Sequence, residues 1–265
     1  MPSPTSAQTP ILTLTTDFGL ADHYVAAVKG VILGICPHAQ IVDISHEVKP
    51  YAIADAAYLL AQAYPCFPKE TIHVVVVDPG VGSARRPIIV ELGGHFFVGP
   101  DNGVFGMLYD ESEKVRTITA ERYFRRPASN TFHGRDIFAP IAAQIAMGIV
   151  PRQLGDVITD FVRPEFATPA QGPDGAWHGV VLHIDRFGNI ITSFRGRYLV
   201  MNSPNFSVTI GGTTVAKFAQ TYADVNRGEL CALPGSSGYL EVSSNQASAA
   251  AEIKCAAGDP VQLRL

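Results

Sequence analysis

The segment from Val74 to Pro87 constrains the fold more than any other part of the chain. It reads VVVVDPGVGSARRP, so four consecutive valines lead into a glycine-rich turn that carries Asp78, Arg85 and Arg86. Four β-branched apolar residues in a row are typical of a strand that is buried on both faces of a sheet. Ligands bind at the carboxyl ends of such strands in open α/β sheets. The turn after these valines is therefore the first place to look for chemistry.

The first half of the chain alternates strand patterns with helix patterns. The predicted elements are a strand at 11–15, a helix over 24–35, a strand at 41–45, a helix over 53–64 and a strand at 72–77. Asp22 is a candidate N-cap for the first helix. This alternation predicts mainly parallel strand pairing with helices flanking the sheet.

A hairpin pattern follows the third strand. The segments 87–92 and 95–99 are separated by Gly93 and Gly94, a pair that suits a tight antiparallel turn. The hairpin adds antiparallel strands, so the predicted sheet is mixed. The span from Arg135 to Met147 predicts the last helix of this half of the chain.

The pattern changes between residues 163 and 177, where proline, glycine and alanine predominate, as expected for a linker. The rest predicts short strands and no helix, which indicates a small β-barrel or sandwich. These strands are expected within 178–185, 189–194, 205–212, 213–218, 238–244 and 260–265. The predicted organisation is a disordered tail at 1–10, an N-terminal α/β domain at 11–165, a linker at 166–177 and a smaller C-terminal all-β barrel domain at 178–265.

Composition narrows the class of protein. The chain has 265 residues and a formal net charge of −4 without a basic stripe, which argues against nucleic acid as the main partner and favours a small-molecule substrate. Its four cysteines form no C-x-x-C pair, so we expect neither a metal site nor a disulfide framework, but reduced thiols in a cytoplasmic protein. Neither a signal peptide nor a membrane span is expected, because no basic n-region and no apolar run of about 18 residues is present.

Two polar constellations follow predicted strands. Asp17, in TTDFG, directly follows the first strand, where a carboxylate binds ribose hydroxyls in some nucleotide-binding folds or serves only as a turn residue. Asp78 and Arg85 are seven residues apart in a loop and are close enough in sequence to form an ion pair. That pair either orients a polar reactant or fixes the turn. The loop is not a nucleotide-binding P-loop, because it lacks the lysine and the following serine or threonine.

Two further constellations lie later in the chain. In ASNTFHGRD, Asn130 or Thr131 is a candidate helix cap, which would place His133 at the helix N-terminus, where a neutral imidazole is favoured. In HIDRFGNI, the side chains of Asp185, Phe187 and Asn189 surround a tight turn. This second group suits either a simple hairpin or a clamp for a purine or an amino acid.

Taken together, the motifs closely resemble those of the S-adenosyl-L-methionine (SAM) hydroxide adenosyltransferases, the adenosine-forming SAM hydrolases, which are related to the SAM-dependent fluorinase and chlorinase. The resemblance runs in order through ILTLTTDFG, VDPGVGS, GPDNGVF, NTFHGRD, HIDRFGN and SSGYLEVSSNQ. It implies an N-terminal α/β domain, a C-terminal β-barrel and a homotrimer whose active sites lie between the N-terminal domain of one subunit and the C-terminal domain of its neighbour. It also implies that SAM is the substrate and that no cofactor or metal is required.

The resemblance assigns a role to individual residues. The residues that hold the attacking water fall on Asp78, Arg85 and His133, which are the expected catalytic groups. Asp17 matches the carboxylate that binds the ribose hydroxyls, and Tyr51 matches the aromatic ring near the ribose. Asp22 matches the partner of the methionine amino group, and Asn102 matches a residue that lines the water pocket. Asp185 and Asn189 match positions for the methionine moiety and the adenine edge, Phe187 stacks on the base, and Ser236 is expected near the methionine carboxylate. The expected substrate-binding set is Asp17, Asp22, Tyr51, Asn102, Phe132, Asp185, Phe187, Asn189, Ser236 and Asn245.

A departure from the halogenases indicates the nucleophile. Their halide pocket uses a Tyr-Pro-Ala-Thr segment, whereas this chain has Asp78-Pro79-Gly80-Val81, and a negative Asp78 repels halide while it shares a proton with water. Water is therefore the expected nucleophile. Two alternatives stay open at this point, namely a chlorinase-like halogenase and a sensor that binds SAM or adenosine with negligible turnover. The sequence also leaves open whether Arg85 or Arg86 enters the pocket.

Overall fold

The computed structural model describes residues 9–164, 168–195 and 205–265, and the chain divides into two compact units, Met1–Pro164 and Glu165–Leu265. The expected disordered tail, 1–10, lies outside the described residues except for Thr9 and Pro10, and so do the first two residues of the expected linker, 166–177. Among the described residues, no helix combines the length and the apolar character needed to cross a membrane.

The first unit is built on a mixed sheet, as predicted. Its elements are β1 (Ile11–Thr16), α1 (Tyr24–Ile35), β2 (Gln40–Ser45), α2 (Ile53–Ala63), β3 (Ile72–Val76), β4 (Pro87–Leu92), β5 (His95–Pro100), β6 (Lys114–Thr117) and α3 (Ala139–Ala146). The strand order is β2-β1-β3-β5-β4-β6. The pairs β1–β2, β1–β3 and β3–β5 are parallel, whereas β4 runs antiparallel to β5 and β6.

The valine run is buried on both faces of the sheet, which confirms the expectation from its composition. Val74 and Val76 pack on one face with apolar residues of α1 and α3, whereas Val75 and Val77 pack on the other face with residues of α2. Burying one such side chain contributes about 1.5–3 kcal/mol to folding. The strand therefore anchors the loop that begins at Asp78.

Two predicted helix N-caps are wrong. Helix α1 begins at Tyr24 with His23 at its N-cap position and no side-chain cap, because Asp22 lies one residue too early to cap it. The last helix of this unit opens with a π-helical turn, Gly134–Phe138, before α3. Thr131 does not cap that turn, since its hydroxyl pairs with Ser129 Oγ at 3.1 Å and the N-cap position falls on His133.

The second unit is an antiparallel, nearly closed barrel-like sheet, in agreement with the prediction. Its elements are β7 (Ala170–Gln171), β8 (Trp177–Ile184), β9 (Ile190–Arg195), β10 (Ser207–Ile210), β11 (Thr213–Val215), β12 (Leu230–Pro234), β13 (Tyr239–Ser244), α4 (Ala249–Ile253) and β14 (Pro260–Arg264). The order is β11-β10-β14-β8-β9-β13-β12, and β7 pairs with β8.

The expectation of no helix in this unit is wrong. Helix α4 forms because Ser248 Oγ accepts a hydrogen bond from Ala251 N at 3.1 Å and caps a run of alanines. The turn at Gly188 packs on this cap, with a φ of +84° and an ideal Cβ position only 2.0 Å from Ser248 Oγ. Any side chain at Gly188 would therefore clash, and the hairpin after β8 depends on α4.

A buried histidine pair lies within the first sheet. The ring of His73, which is fully buried, contacts Thr13 Oγ1 through Nδ1 at 2.8 Å and His95 Nδ1 through Nε2 at 3.3 Å, and it stacks on Phe97. Burial, together with the nearby His95, lowers the pKa of His73 to about 3. The folded protein therefore keeps this imidazole neutral.

We expect acid to weaken the fold through His73. Its pKa falls from an ordinary 6.5 to about 3 on folding, so the unfolded chain binds the extra proton between these values and stability declines as the pH drops below 6.5. The contribution is up to about 1.4 kcal/mol per pH unit. Urea unfolding of wild type and His73→Gln at pH 7.5 and 5.0 measures it: the loss of unfolding free energy should be smaller in the variant. Equal losses in both proteins would contradict this account.

Candidate active site

The loops that follow the parallel strands of the first unit surround one cavity. Strands β1, β2 and β3 are parallel and end at the same edge of the sheet, so the loops that begin at Asp17, His46 and Asp78 emerge side by side. The cavity has a volume of about 590 Å³. It is lined by Asp17, Phe18, His23, Tyr24, Pro50, Tyr51, Val76, Asp78, Val81, Ser129, Thr131, Phe132, His133, Gly134 and Arg135.

Asp78, Arg85 and His133 form one contiguous cluster at this cavity. Arg85 Nε donates to Asp78 Oδ1 at 2.9 Å, and Arg85 Nη2 donates to Asp78 Oδ2. The same Nη2 lies 2.6 Å from His133 Nδ1. The side chains of Asp78 and Arg85 are only 4% and 8% exposed, so little water screens the pair. Asp78 and His133 line the cavity, and the guanidinium of Arg85 holds both of them.

The contact with Arg85 fixes the tautomer of His133. A guanidinium can only donate, so His133 Nδ1 is the acceptor and the ring hydrogen of the neutral imidazole is on Nε2. Burial and the charge of Arg85 lower the pKa of His133, against smaller opposing effects of Asp78 and Asp136. A neutral imidazole with an Nε2 donor therefore faces the cavity near neutral pH.

One donor of Arg85 has no partner among the described residues. Arg85 Nη1 is buried and makes no hydrogen bond to any described residue. The guanidinium carbon lies 5.3 Å from the centre of the Phe138 ring, which supplies a cation–π contact but no acceptor for Nη1. A buried donor of this kind costs free energy unless water or a ligand satisfies it.

Close packing brings the Asp78 loop and the His133 loop together. Gly82 has a φ of +78°, and its ideal Cβ position lies 2.4 Å from the carbonyl oxygen of Asn130, so only glycine fits. The fully buried Asp136 accepts hydrogen bonds from Ser129 N at 2.8 Å and from Arg135 Nε at 2.7 Å. Burial raises the pKa of Asp136, but these bonds outweigh it and hold the pKa below its usual value. The carboxylate therefore fastens the loop that carries His133.

Asp17 and Tyr51 lie at another part of the same cavity. Asp17 Oδ2 accepts a hydrogen bond from Tyr51 N at 2.9 Å, which leaves Oδ1 for a ligand. Tyr51 has a φ of +69°, a strained value for a residue with a side chain, and the residue is 72% exposed. An apolar wall is formed by Phe18, Tyr24 and Phe132, whose rings are 5.1–5.8 Å apart.

Three residues discussed from the sequence lie elsewhere. Asp22 is in the exposed turn before α1, and Asn102 uses its amide to bond Val77 O at 2.9 Å and Val104 N at 3.2 Å. Arg86 pairs with Asp101 and Asp160 at 2.7 and 2.8 Å, so of these two neighbours it is Arg85 whose guanidinium contacts Asp78 and His133.

The second unit has a cavity of its own, with a volume of about 820 Å³. All five residues singled out in this unit, Asp185, Phe187, Asn189, Ser236 and Asn245, line it. Asp185 accepts hydrogen bonds from Phe187 N, Asn189 N and Asn189 Nδ2 at 2.8–2.9 Å, so it shapes the hairpin turn. One of the two Asn189 Nδ2 hydrogens is thereby used, and the amide oxygen is the end that can accept from a ligand.

Tyr222 and Glu241 are among the lining residues of this second cavity that were not predicted. Glu241 is 6% exposed, and its Oε1 accepts hydrogen bonds from Tyr222 Oη at 2.7 Å and Ser243 Oγ at 2.8 Å. Burial and this bond to Glu241 raise the pKa of Tyr222. The sequence did contain an indication of Glu241, because burying a glutamate within the apolar strand pattern GYLEVSS costs free energy unless its carboxylate is hydrogen-bonded or paired.

Metal binding finds no support in the residues that the structure describes. They contain no group of three or more His, Cys, Asp or Glu side chains arranged to hold a metal ion. Polar groups in direct contact with one another at the first cavity include the Asp78 carboxylate, the Arg85 guanidinium and the His133 imidazole.

The matching family models and the curated relatives indicate the same family. Residues 12–155 match the SAM hydroxide adenosyltransferase N-terminal domain, and residues 179–262 match the C-terminal domain of the same name. A curated protein of Thermus thermophilus, (R)-S-adenosyl-L-methionine hydrolase, is 38% identical over 94% of this chain and 97% of its own length. A crystal structure from Thermotoga maritima superposes with a TM-score of 0.87 at 35% identity and covers 96% of this chain and all of that one. A fluorinase of Nocardia brasiliensis is more distant, at 25% identity over 98% of this chain and 99% of its own.

Proposed function

We propose that this protein, which belongs to the SAM hydroxide adenosyltransferase family, hydrolyses S-adenosyl-L-methionine to adenosine and L-methionine. The observation that carries the proposal is the buried Asp78–Arg85–His133 cluster at the cavity of the first unit. Curated relatives at 35–38% identity share the name (R)-S-adenosyl-L-methionine hydrolase, which specifies one epimer at sulfur. We propose the same epimer as the substrate here.

Water is the proposed nucleophile. Asp78 accepts from Arg85 with both oxygens, yet each carboxylate oxygen has a second lone pair that is able to accept a hydrogen from water. The Nε2 hydrogen of His133 is able to hold the water oxygen, and Arg85 Nη1, which has no partner among the described residues, is a second donor that favours hydroxide character. A halide ion has no hydrogen to offer Asp78 and is repelled by its charge.

The proposed reaction is an in-line displacement at the ribose 5′ carbon. The water oxygen forms a bond to C5′ while the bond from C5′ to sulfur breaks, and the sulfonium becomes the neutral thioether of methionine. One water proton passes to Asp78 and then to solvent, so the products are adenosine, methionine and a proton. Alignment of oxygen, carbon and sulfur supplies about 7 kcal/mol or more of the rate enhancement. No cofactor is required, because the sulfonium is itself the activated leaving group.

Substrate contacts follow the two cavities. We assign the free Asp17 Oδ1 to the ribose hydroxyls, with Tyr51 and Phe132 as the apolar surroundings of the sugar and the sulfonium. In the second unit, the Asn189 oxygen suits the exocyclic amine of adenine and Phe187 suits its ring face. Asp22 for the methionine amino group, Asn102 for the water pocket, and Asp185 and Ser236 for the methionine moiety remain proposals from family resemblance. The same holds for Asn245 as a substrate-binding residue without an assigned contact.

We propose that the protein acts as a homotrimer with active sites between subunits. The support is chemical: the water-activating groups belong to one unit and the base-binding groups to the other. Mixing inactive Asp78→Asn and inactive Asn189→Ala proteins under subunit exchange should restore activity, because some sites then contain two intact halves. If the exchanged mixtures recover no activity, the proposal that active sites are shared between subunits is wrong.

The reaction is proposed to take place in the cytoplasm, with neither nucleic acid nor a membrane as a partner. The support is that all four cysteines, Cys36, Cys66, Cys231 and Cys255, are free thiols, as in proteins of reducing compartments.

Direct assay distinguishes the proposed reaction from the alternatives. Purified protein is incubated with each sulfonium epimer of SAM, and adenosine, methionine and any 5′-halogenated nucleoside are separated by chromatography, with and without chloride or fluoride. We expect equal amounts of adenosine and methionine from the (R) epimer and no halogenated product. Halogenated nucleoside would identify a halogenase, and tight binding without products would identify a sensor.

The pH dependence of the rate tests the role of His133. Protonation would place a hydrogen on Nδ1, which faces Arg85 Nη2 at 2.6 Å, so it would break that contact. Because the pKa of His133 is lowered from its ordinary 6.5, we expect a constant rate above pH 6.5 and a decline only at lower pH. The rate is measured between pH 5 and 8 in wild type and in His133→Gln, which should lose the decline assigned to the imidazole. A wild-type rate that increases as the pH falls would contradict this role.

A further inference from the structure

Two hydrogen bonds tie the turn that carries Asp17 to the loop that carries Tyr51. The backbone N–H of Gly19 donates to His46 O at 2.7 Å, and the backbone N–H of Tyr51 donates to Asp17 Oδ2 at 2.9 Å. The turn after β1 and the loop after β2 are thus joined at both ends. His46 is the first residue of the second loop, and it is not one of the proposed catalytic or substrate-binding residues.

The imidazole of His46 makes a second connection between these strands. It is 4% exposed, and its Nδ1 lies 2.8 Å from Thr16 Oγ1 at the end of β1. Thr16 Oγ1 also accepts the backbone N–H of Phe18 at 3.3 Å. Thr16 and Phe18 flank Asp17 on both sides, so the ring of His46 controls the geometry of the turn through one hydroxyl.

Charged side chains lie next to the Nε2 side of the His46 ring. His46 Nε2 lies 3.1 Å from Asp43 Oδ1 on β2, a close charge contact that is not aligned as a hydrogen bond. Asp43 Oδ2 in turn accepts from Lys29 Nζ on α1 at 2.6 Å. A carboxylate attracts the ring hydrogen to Nε2, which leaves Nδ1 as an acceptor for the Thr16 hydroxyl. The direction of each contact in the Lys29–Asp43–His46–Thr16 chain is therefore consistent.

We propose that His46 is a positioning residue that orients the Asp17 carboxylate for recognition of the ribose hydroxyls, acting through the hydroxyl of Thr16. This inference rests on the proposed function, since it takes Asp17 as the ribose ligand. Recognition of two hydroxyls by one free oxygen depends on the exact direction of the carboxylate. His46 touches neither sugar nor nucleophile, so its effect is selective for the ribose rather than for the reaction step.

A matched pair of threonines permits a clean test. Thr13 is on the same strand and is also buried. Its Oγ1 also contacts a histidine ring, at 2.8 Å from His73 Nδ1, but Thr13 is not adjacent to Asp17 in the chain. Thr16→Val and Thr13→Val therefore each remove a hydroxyl-to-imidazole contact with the same change in shape, and Thr16→Val also removes the hydrogen bond from Phe18 N. Only Thr16→Val should affect the ribose site.

The measurement is the calorimetric dissociation constant of 2′,3′-dideoxyadenosine divided by that of adenosine, two probes that differ only at the two hydroxyls. We expect wild type and Thr13→Val to share one ratio and Thr16→Val to reduce it by about fivefold or more, since hydrogen bonds to a charged group are at stake. His46→Leu should reduce the ratio similarly, and His46→Asn, whose amide oxygen is able to accept from Thr16, should restore most of it. Added to Asp17→Ala, the Thr16→Val change should have no further effect on the ratio.

The outcomes separate failure of the inference from failure of the proposed function. If wild type binds both nucleosides equally, the ribose role of Asp17 fails and the inference fails with it. If wild type discriminates but Thr16→Val weakens both nucleosides equally, or behaves as Thr13→Val does, then His46 has only a structural role and the inference alone is overturned. Thermal melting of each variant establishes that it is folded at the temperature of the measurement, and Thr16→Val keeps the test decisive if His46→Leu does not fold.

Discussion

Replacing Asp78 with asparagine is expected to lower the rate of adenosine formation by about 10²–10⁴-fold, the range that general acid–base groups contribute. Asparagine has nearly the same shape but cannot take a proton from water. It also leaves the buried guanidinium of Arg85 without a counter-charge. Binding of adenosine should change by only a few fold, because Asp17, Phe187 and Asn189 are untouched. Steady-state rates and calorimetric titration with adenosine measure the two effects separately.

The matched control for this variant is Asp160→Asn. Asp160 is also paired with an arginine of the same loop, since it accepts from Arg86 Nη1 at 2.8 Å, but its side chain is 77% exposed. An exposed pair contributes little, so the control should retain its rate within about twofold. Unchanged turnover in Asp78→Asn would remove Asp78 from the mechanism.

Replacing Arg85 with lysine is expected to reduce the rate by about 100-fold or more, although the charge is retained, because preorganised donors at a developing charge contribute on this scale. The guanidinium binds Asp78 with Nε and Nη2 and reaches His133 with Nη2 at the same time. One ammonium group cannot reproduce this planar arrangement. The variant should therefore lose both the alignment of Asp78 and the fixed tautomer of His133.

Arg86→Lys is the control for position and charge. Arg86 is the next residue, yet it bonds Asp101 and Asp160, so the control should keep most of its turnover at temperatures below its melting point. Rates of the two lysine variants, each measured at saturating SAM, provide the comparison. The reverse order, with Arg86→Lys inactive and Arg85→Lys active, would contradict the assignment of the guanidinium.

The order of strands and helices in the first unit could be predicted from the sequence because local pattern determines it. The valine run, the helical spacing after Asp17 and the Gly93–Gly94 turn each have one clear interpretation. Strands β6, β7 and β12 were missed, since each is too short to show alternation, and α4 depends on a single cap at Ser248. The π-helical turn at Gly134–Phe138 has no local signature at all.

The candidate site could be predicted only in part. Motif resemblance singled out Asp78, Arg85 and His133, and parallel pairing explains why the loops after β1 and β3 lie together. Whether Arg85 or its neighbour enters the cavity depends on the course of one loop. The contacts of Glu241 and His46 join residues far apart in sequence, and no spacing rule indicates such side-chain geometry.

A single turnover in ¹⁸O-labelled water tests most directly whether solvent attacks the ribose carbon. Attack of water on C5′ transfers the label to the 5′ hydroxyl of adenosine and leaves methionine unlabelled. Mass spectrometry of both products after one turnover of (R)-S-adenosyl-L-methionine should find one ¹⁸O in adenosine and none in methionine. Unlabelled adenosine, or a 5′-substituted nucleoside formed before it, would contradict the account.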